Sequence, residues 1–206
     1  MKIRLTLVTL CILVVVISCQ KDTFKTVIKA PELPATSYEY TPQWGGMLIN
    51  MVGQDLGISN AGATLGRVLF YDKILSIDNT ISCGSCHHQS TAFSDEVRQS
   101  SGINNQKTDR NAPAISNLYD DKLLFWDGRA SSIKDLVLKP VRNHKEMGME
   151  DMNFLVKKIK AAPYYNELFT GAFGDNEVTS ERIAEAMTQF IKSMIGCNSD
   201  MDKSVS

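Results

Sequence analysis

The sequence predicts an all-α fold with long loops. Helical signals dominate the part after residue 60, helix-ending residues fall where those signals stop, and no stretch alternates apolar and polar residues as a half-buried strand would. In chain order, helical patterns cover residues 63–71, 131–141, 149–161, 164–169 and 180–196. The third has Phe154, Leu155 and Ile159 as apolar positions, with Pro163 just beyond its end. The fifth is the most regular. Ile183, Ala186, Met187, Phe190, Ile191 and Met194 recur on one face after Thr179 and Ser180 as candidate caps, Glu181 lies near the positive end of the dipole, and Gly196 stops the pattern.

The N-terminus is of another kind. Met1, Lys2, Ile3 and Arg4 precede an apolar run over 5–17 that has the length and flanks of an export signal and is too short for a stable membrane span. Val16-Ile17-Ser18-Cys19 resembles the lipobox of bacterial lipoprotein signals, in which Cys19 is lipidated and becomes the first residue. An ordinary cleaved signal, or an uncleaved anchor with an incidental Cys19, is the alternative. The expected organisation is a signal over 1–18, a tether over 19–45 marked by Pro31, Pro34 and Pro42, and one domain over 46–206. Acyl chains, each buried methylene worth about 0.8 kcal/mol, would then hold the domain at the membrane on the periplasmic side or elsewhere in the cell envelope. A formal net charge of -1 and the lack of any basic run argue against nucleic acid as a partner.

"ISCGSCHHQS", residues 81–90, holds two of five cysteines and two of three histidines. Cys83-Gly84-Ser85-Cys86-His87 is the attachment pattern of a c-type haem. Two thiols three residues apart, about one helical turn, can add to the two haem vinyl groups, and the adjacent histidine can place its imidazole on the iron. A structural zinc would need a fourth ligand from His88, His144 or the distant Cys197. A thioredoxin-like redox pair would want a βαβ setting, and a short disulfide would leave the histidine unexplained. One covalent haem c is the expected cofactor, and Cys197 is read as a buried or idle thiol.

The flanking sequence resembles the N-terminal haem domain of bacterial di-haem cytochrome c peroxidases, a group that includes the tryptophan-modifying enzymes of methylamine utilisation. The matching stretches are "LGRVLFYDKILSIDNTISCGSCH" (65–87), "AFSD" (92–95), "RNAPAISN" (110–117), "LFWDGRASSIKDL" (124–136), "KEMGM" (145–149) and "AEAMTQFIKSM" (184–194). The resemblance implies a cytochrome c-like haem domain that reduces hydrogen peroxide to water. It implies Cys83 and Cys86 as thioether anchors, His87 as proximal iron ligand, and a peroxide pocket roofed by the 88–110 loop and the segment around Trp126. Arg110 and Arg129 would lie near the haem propionates or buttress those loops. Asn111 occupies a position that in relatives helps to hold calcium.

Two departures from the family pattern bear on the chemistry. Ile103 stands where many members carry a histidine that caps the iron, so the sixth position is expected to be open or to hold only water. Asp135 stands where the family places a glutamate that moves a proton between the peroxide oxygens, one methylene shorter; Glu146 is a weaker candidate. His88, His144, Met147, Met149 and Met152 are read as surface or packing residues.

In the family a second haem domain follows the first and receives electrons from a small cytochrome or copper protein. Residues 198–206 correspond to the start of the linker to it. A second domain on a separate chain, a truncated gene and a one-haem protein all stay open, and each requires an external electron donor for peroxide turnover. The competing reading is a one-haem electron carrier without peroxidase activity.

Overall fold

The computed structural model describes residues 39–40, 56–118 and 123–196, with Asp200 and Ser204. The signal over 1–18, Cys19 and Cys197 lie outside the described residues. Five α-helices lie wholly within the described residues, in the order α1 (Asn60–Tyr71), α2 (Ile133–Arg142), α3 (Met152–Lys160), α4 (Tyr164–Phe173) and α5 (Ser180–Lys192). Among the described residues, β-pairing is confined to isolated bridges.

The central packing is α1 against α5. Ser59 caps α1 by accepting from Gly62 N at 3.0 Å, and Thr179 caps α5 by accepting from Arg182 N at 3.2 Å. Small residues then let the two backbones approach: a Cβ at Gly66 would lie 2.0 Å from the Ala186 carbonyl oxygen. Leu65, Leu69 and Phe70 of α1 are thereby buried against Ile183, Met187 and Phe190 of α5. Each such side chain contributes roughly 1.5–3 kcal/mol by leaving water.

Helix α4 is tied to the end of α1 through one carboxylate. Asp72 accepts from Tyr164 Oη at 2.7 Å, from Tyr165 Oη at 2.9 Å and from Ile74 N at 2.9 Å, so a buried acid meets three donors. Burial and the Asp72 charge push the Tyr165 phenol far up, so it stays a donor.

The helix ends differ from the sequence expectation in ways that have local causes. The fifth helix ends at Lys192, where Ser193 caps it, before Met194 and Gly196. The fourth continues past 169 to Phe173, because Gly171 is accommodated within it and Gly174, at φ 86°, forms the left-handed end. The third starts at Met152, after Asp151 accepts from Asn153 N. Pro140 sits inside the last turn of α2, where only one backbone bond is forgone. Within the expected tether, Tyr40 is packed: its N–H donates to Asn60 Oδ1 at 2.8 Å, and its ring meets Phe190 edge-on at 6.2 Å.

Three loops between these helices build the site. Each is closed at its neck by one antiparallel bridge: His88 with Ser94, Ser101 with Lys107, and Leu124 with Ala130. Gly102 in the second packs directly on the Lys145 carbonyl, and Ile103 N donates to Glu146 O at 2.9 Å, which joins that loop to the 145–147 segment.

Candidate haem site

Cys83, Gly84 and Ser85 form a 3-10 turn, started by Ser82 and Ser85 in a reciprocal cap. The turn presents both cysteines and His87 to the same interior. His87 Nδ1–H donates to the Phe93 carbonyl at 2.6 Å. That bond fixes the ring and its tautomer and leaves the Nε2 lone pair available to a metal. Ala92 and Phe93 both stand at positive φ, 55° and 59°, which is how the 88–94 loop turns the Phe93 carbonyl back to the imidazole.

Two adjoining cavities meet at these residues. One, about 70 Å³, is apolar, with Phe70, Ile81, Ile115, Val137, Met147 and Met187 among its walls. The other, about 330 Å³, is rimmed by Arg110, Asn111, Trp126, Asp127 and Arg129. Cys86, His87, Thr108, Pro140 and Glu146 border both. An apolar chamber opening into a charged one that carries Arg110 and Arg129 fits an amphiphilic macrocycle with carboxylates at one edge, and the thiols of Cys83 and Cys86 are free to bond to it.

The rim is an ordered charge cluster. Asp127 bridges Arg110 Nη1 at 2.6 Å and Arg129 Nη1 at 2.8 Å. Although desolvation opposes it, hydrogen bonds from Arg129 and Arg110 hold the Asp127 carboxyl below its usual range. The Arg129 guanidinium also lies 3.7 Å from the centre of the Phe125 ring. Trp126, 65% exposed, donates from Nε1 to the Asn111 carbonyl at 3.0 Å, and Asn111 Nδ2 donates to Val97 O at 2.9 Å.

Of the two candidate acids, the structure brings Glu146 to the cavities and leaves Asp135 outside them. Asp135 is exposed in the first turn of α2, where Oδ2 accepts from Ser131 N at 3.3 Å and Oδ1 pairs with Lys139 at 3.0 Å. The Lys139 bond holds its carboxyl below the usual range. Glu146 accepts from Asn143 Nδ2 at 2.9 Å, and desolvation pushes its carboxyl up despite the attraction of Arg129. Asp135 therefore pairs with Lys139 on the surface, and Glu146 faces the cleft. The "KEMGM" stretch was the available signal. The Phe93 carbonyl had none, because a backbone acceptor leaves no mark on the sequence.

The remaining candidates fall away from the cleft or into its wall. His88 and His144 are exposed and line neither cavity. Ile103, 6% exposed, packs on Gly148 instead of lining the cleft. Met147 is buried in the wall of the apolar chamber, Met149 is buried outside it, and Met152 is half-buried on α3.

The rival chemistries fit less well. Desolvation, with Cys86 and Glu146 nearby, pushes the Cys83 thiol up to about 12, the opposite of the lowered value that a redox or nucleophilic thiolate needs. Among the described residues, no three His, Cys, Asp or Glu side chains converge as a metal-ion site. Desolvation likewise lowers the His87 imidazole, which favours the neutral ligand form.

A family model described as di-haem cytochrome c peroxidase matches residues 60–206. The chain is 38% identical over 141 residues to cytochrome c551 peroxidase of Nitrosomonas europaea, covering 68% of this chain and 42% of the relative. It is 31% identical over 140 residues to the methylamine utilization protein MauG of Methylorubrum extorquens, covering 68% and 39%. A solved MauG-like protein associated with microbial copper homeostasis superposes with a TM-score of 0.66 at 28% identity, covering 86% of this chain and 49% of that one. The diheme peroxidase BthA of Burkholderia thailandensis superposes with a TM-score of 0.63 at 25% identity, covering 74% and 45%. The chain thus spans less than half the length of each of these proteins.

Proposed function

This chain belongs to the di-haem cytochrome c peroxidase family, and from that premise we propose that it reduces hydrogen peroxide to water at one covalently held haem c. The observation that carries the reading is Glu146, a half-buried carboxyl with a raised pKa on the border of the two cavities that His87 also lines. When bound, the haem supplies the electrons that break the O–O bond. The chain's own residues do the rest. Cys83 and Cys86 would anchor the group, and His87, fixed by Phe93, would offer Nε2 to the iron. Glu146 moves a proton to the departing peroxide oxygen, so that water and not hydroxide leaves. Arg110 and Arg129 would receive the propionate edge, and Trp126 lines the larger cavity.

Ile103 and its contact with Gly148 support an open sixth position. The purified ferric protein should therefore be high-spin by EPR and consume peroxide when a reduced small cytochrome c or cupredoxin is supplied. A low-spin spectrum indifferent to peroxide would overturn this reading. It would favour the one-haem electron carrier instead, with Met147, which lines the apolar chamber, as the axial ligand.

The same proposal extends to the partners. The electron donor is a small cytochrome c or cupredoxin, acting directly or through a second haem domain on another chain. Calcium would bind at Asn111, whose Oδ1 is the hard oxygen ligand left once Nδ2 is committed to Val97. Lipid on Cys19 would hold the domain in the cell envelope, so Cys19→Ser should move the protein from the membrane to the soluble fraction. Retention of that variant in membranes would refute the anchor.

A further inference from the structure

We propose that Asn143 is the positioning residue of the acid: its side-chain amide holds one oxygen of the Glu146 carboxyl and leaves the other to carry the proton. The inference rests on the peroxidase reading and goes one residue behind it.

Asn143 stands where α2 ends, and its backbone is fully engaged. Its N–H donates to the Lys139 and Pro140 carbonyls at 3.0 and 3.2 Å, and its own carbonyl accepts from Glu146 N at 3.1 Å and from Gly148 N at 2.8 Å. The side chain bridges the same turn. Oδ1 accepts from Lys145 N at 2.9 Å, and Nδ2 donates to Glu146 Oε1 at 2.9 Å. The Lys145 N–H requires an oxygen opposite it, and that turns Nδ2 towards the carboxyl. The Glu146 backbone is pinned from the other side as well, since Ile103 N donates to its carbonyl at 2.9 Å.

The amide is more than this turn needs. A side chain that closes a turn by accepting from the N–H two residues on requires only an oxygen, which an aspartate supplies equally well. What asparagine adds is the N–H that meets Oε1, and Asn143 and Glu146 both border the larger cavity. The two oxygens of the acid thereby become unequal. Oε1 faces a donor that cannot take up a proton, so a proton on the carboxyl resides on Oε2, which has no protein donor among the described residues. Oε2 is then the atom that works: it takes a proton from one peroxide oxygen and returns it to the other, which departs as water, and the carboxyl ends as it began. Asn143 exchanges no proton. Its contribution is to stop the carboxyl from rotating away from the geometry in which that transfer is short.

The test compares wild-type holoprotein with Asn143→Asp, Asn143→Ala, Glu146→Gln and the double variant Asn143→Asp/Glu146→Gln. Asn143→Asp keeps the acceptor for Lys145 N and removes only the donor to Glu146; Asn143→Ala removes the donor without adding a charge. Stopped-flow loss of the ferric spectrum on mixing with peroxide should slow about tenfold to hundredfold in Asn143→Asp. The double variant should be no slower than Glu146→Gln within about twofold, because Asn143 acts through Glu146. Infrared difference spectra against Glu146→Gln isolate the carboxyl C=O stretch of Glu146, which should rise in frequency in Asn143→Ala as its hydrogen bond is lost. A wild-type rate in Asn143→Asp, an unshifted carboxyl band, or a double variant slower than Glu146→Gln by the full factor of the Asn143 change would overturn the inference while leaving peroxide reduction standing. A Glu146→Gln protein that reacts with peroxide as fast as wild type would defeat the acid named in the proposed function and this inference together.

Discussion

Two carboxylates eleven positions apart show what a residue's neighbours decide. Asp135 and Glu146 are both acids near motif positions, but one faces water and lysine and the other faces a desolvated cleft. Glu146→Gln should lower the rate of peroxide consumption by about 10²- to 10⁴-fold in stopped-flow, and Asp135→Asn should leave it within about twofold. The raised pKa of Glu146 also fixes a sign for stability. A carboxyl whose folded pKa exceeds its unfolded value of about 4.3 stabilises the fold below that pH, and the contribution is lost as pH rises through the folded value. Melts of wild type and Glu146→Gln should therefore converge near about pH 4 and separate in favour of glutamine by about pH 8. That Cys83, Cys86 and His87 share one interior was legible in the sequence because it depends on local spacing. Which acid faces the cleft was not, because a carboxylate three residues after the Ser132 cap and one in a cleft look alike in a linear string.

At the scale of elements, the α1–α5 crossing holds two cavity walls, Phe70 from one helix and Met187 from the other. Gly66→Ala forces a methyl group onto the Ala186 carbonyl. Overpacking of this kind costs about 1–3 kcal/mol, and about 2–4 °C of Tm per kcal/mol for a chain of this size, measurable by calorimetry. Every expected helix is present, because apolar periodicity and caps such as Thr179 and Asp151 are written into consecutive residues. The 3-10 turns and the three bridged loops were not foreseen. A single bridge has no period, and the positive φ angles at Ala92, Phe93, Asn104 and Phe125 occur at residues that carry no glycine signal.

For the whole molecule, a haem c held by Cys83 and Cys86 would fill a cavity walled by α1, α2, α5 and the loops, so its attachment should govern cooperativity. Protein carrying Cys83→Ser and Cys86→Ser should lose its pigment on denaturing gels and melt lower and more broadly than wild type. Equal Tm values for the two would show that the cavity walls hold themselves apart without the macrocycle. The family and fold were readable from the order and spacing of the motifs, whereas the placement of the cavity depended on which loops fold back over it.

The loops at 88–94, 101–107 and 124–130 are each pinched at the neck by their own bridge. Such independent closures make the surroundings of the haem modular: the span inside a neck can change length or composition while the helices that hold the neck keep their places. Descendants of one ancestral scaffold can thus rewrite reactivity one loop at a time. A lineage containing both a cytochrome c551 peroxidase and methylamine utilization proteins is what such loop-by-loop inheritance would leave behind.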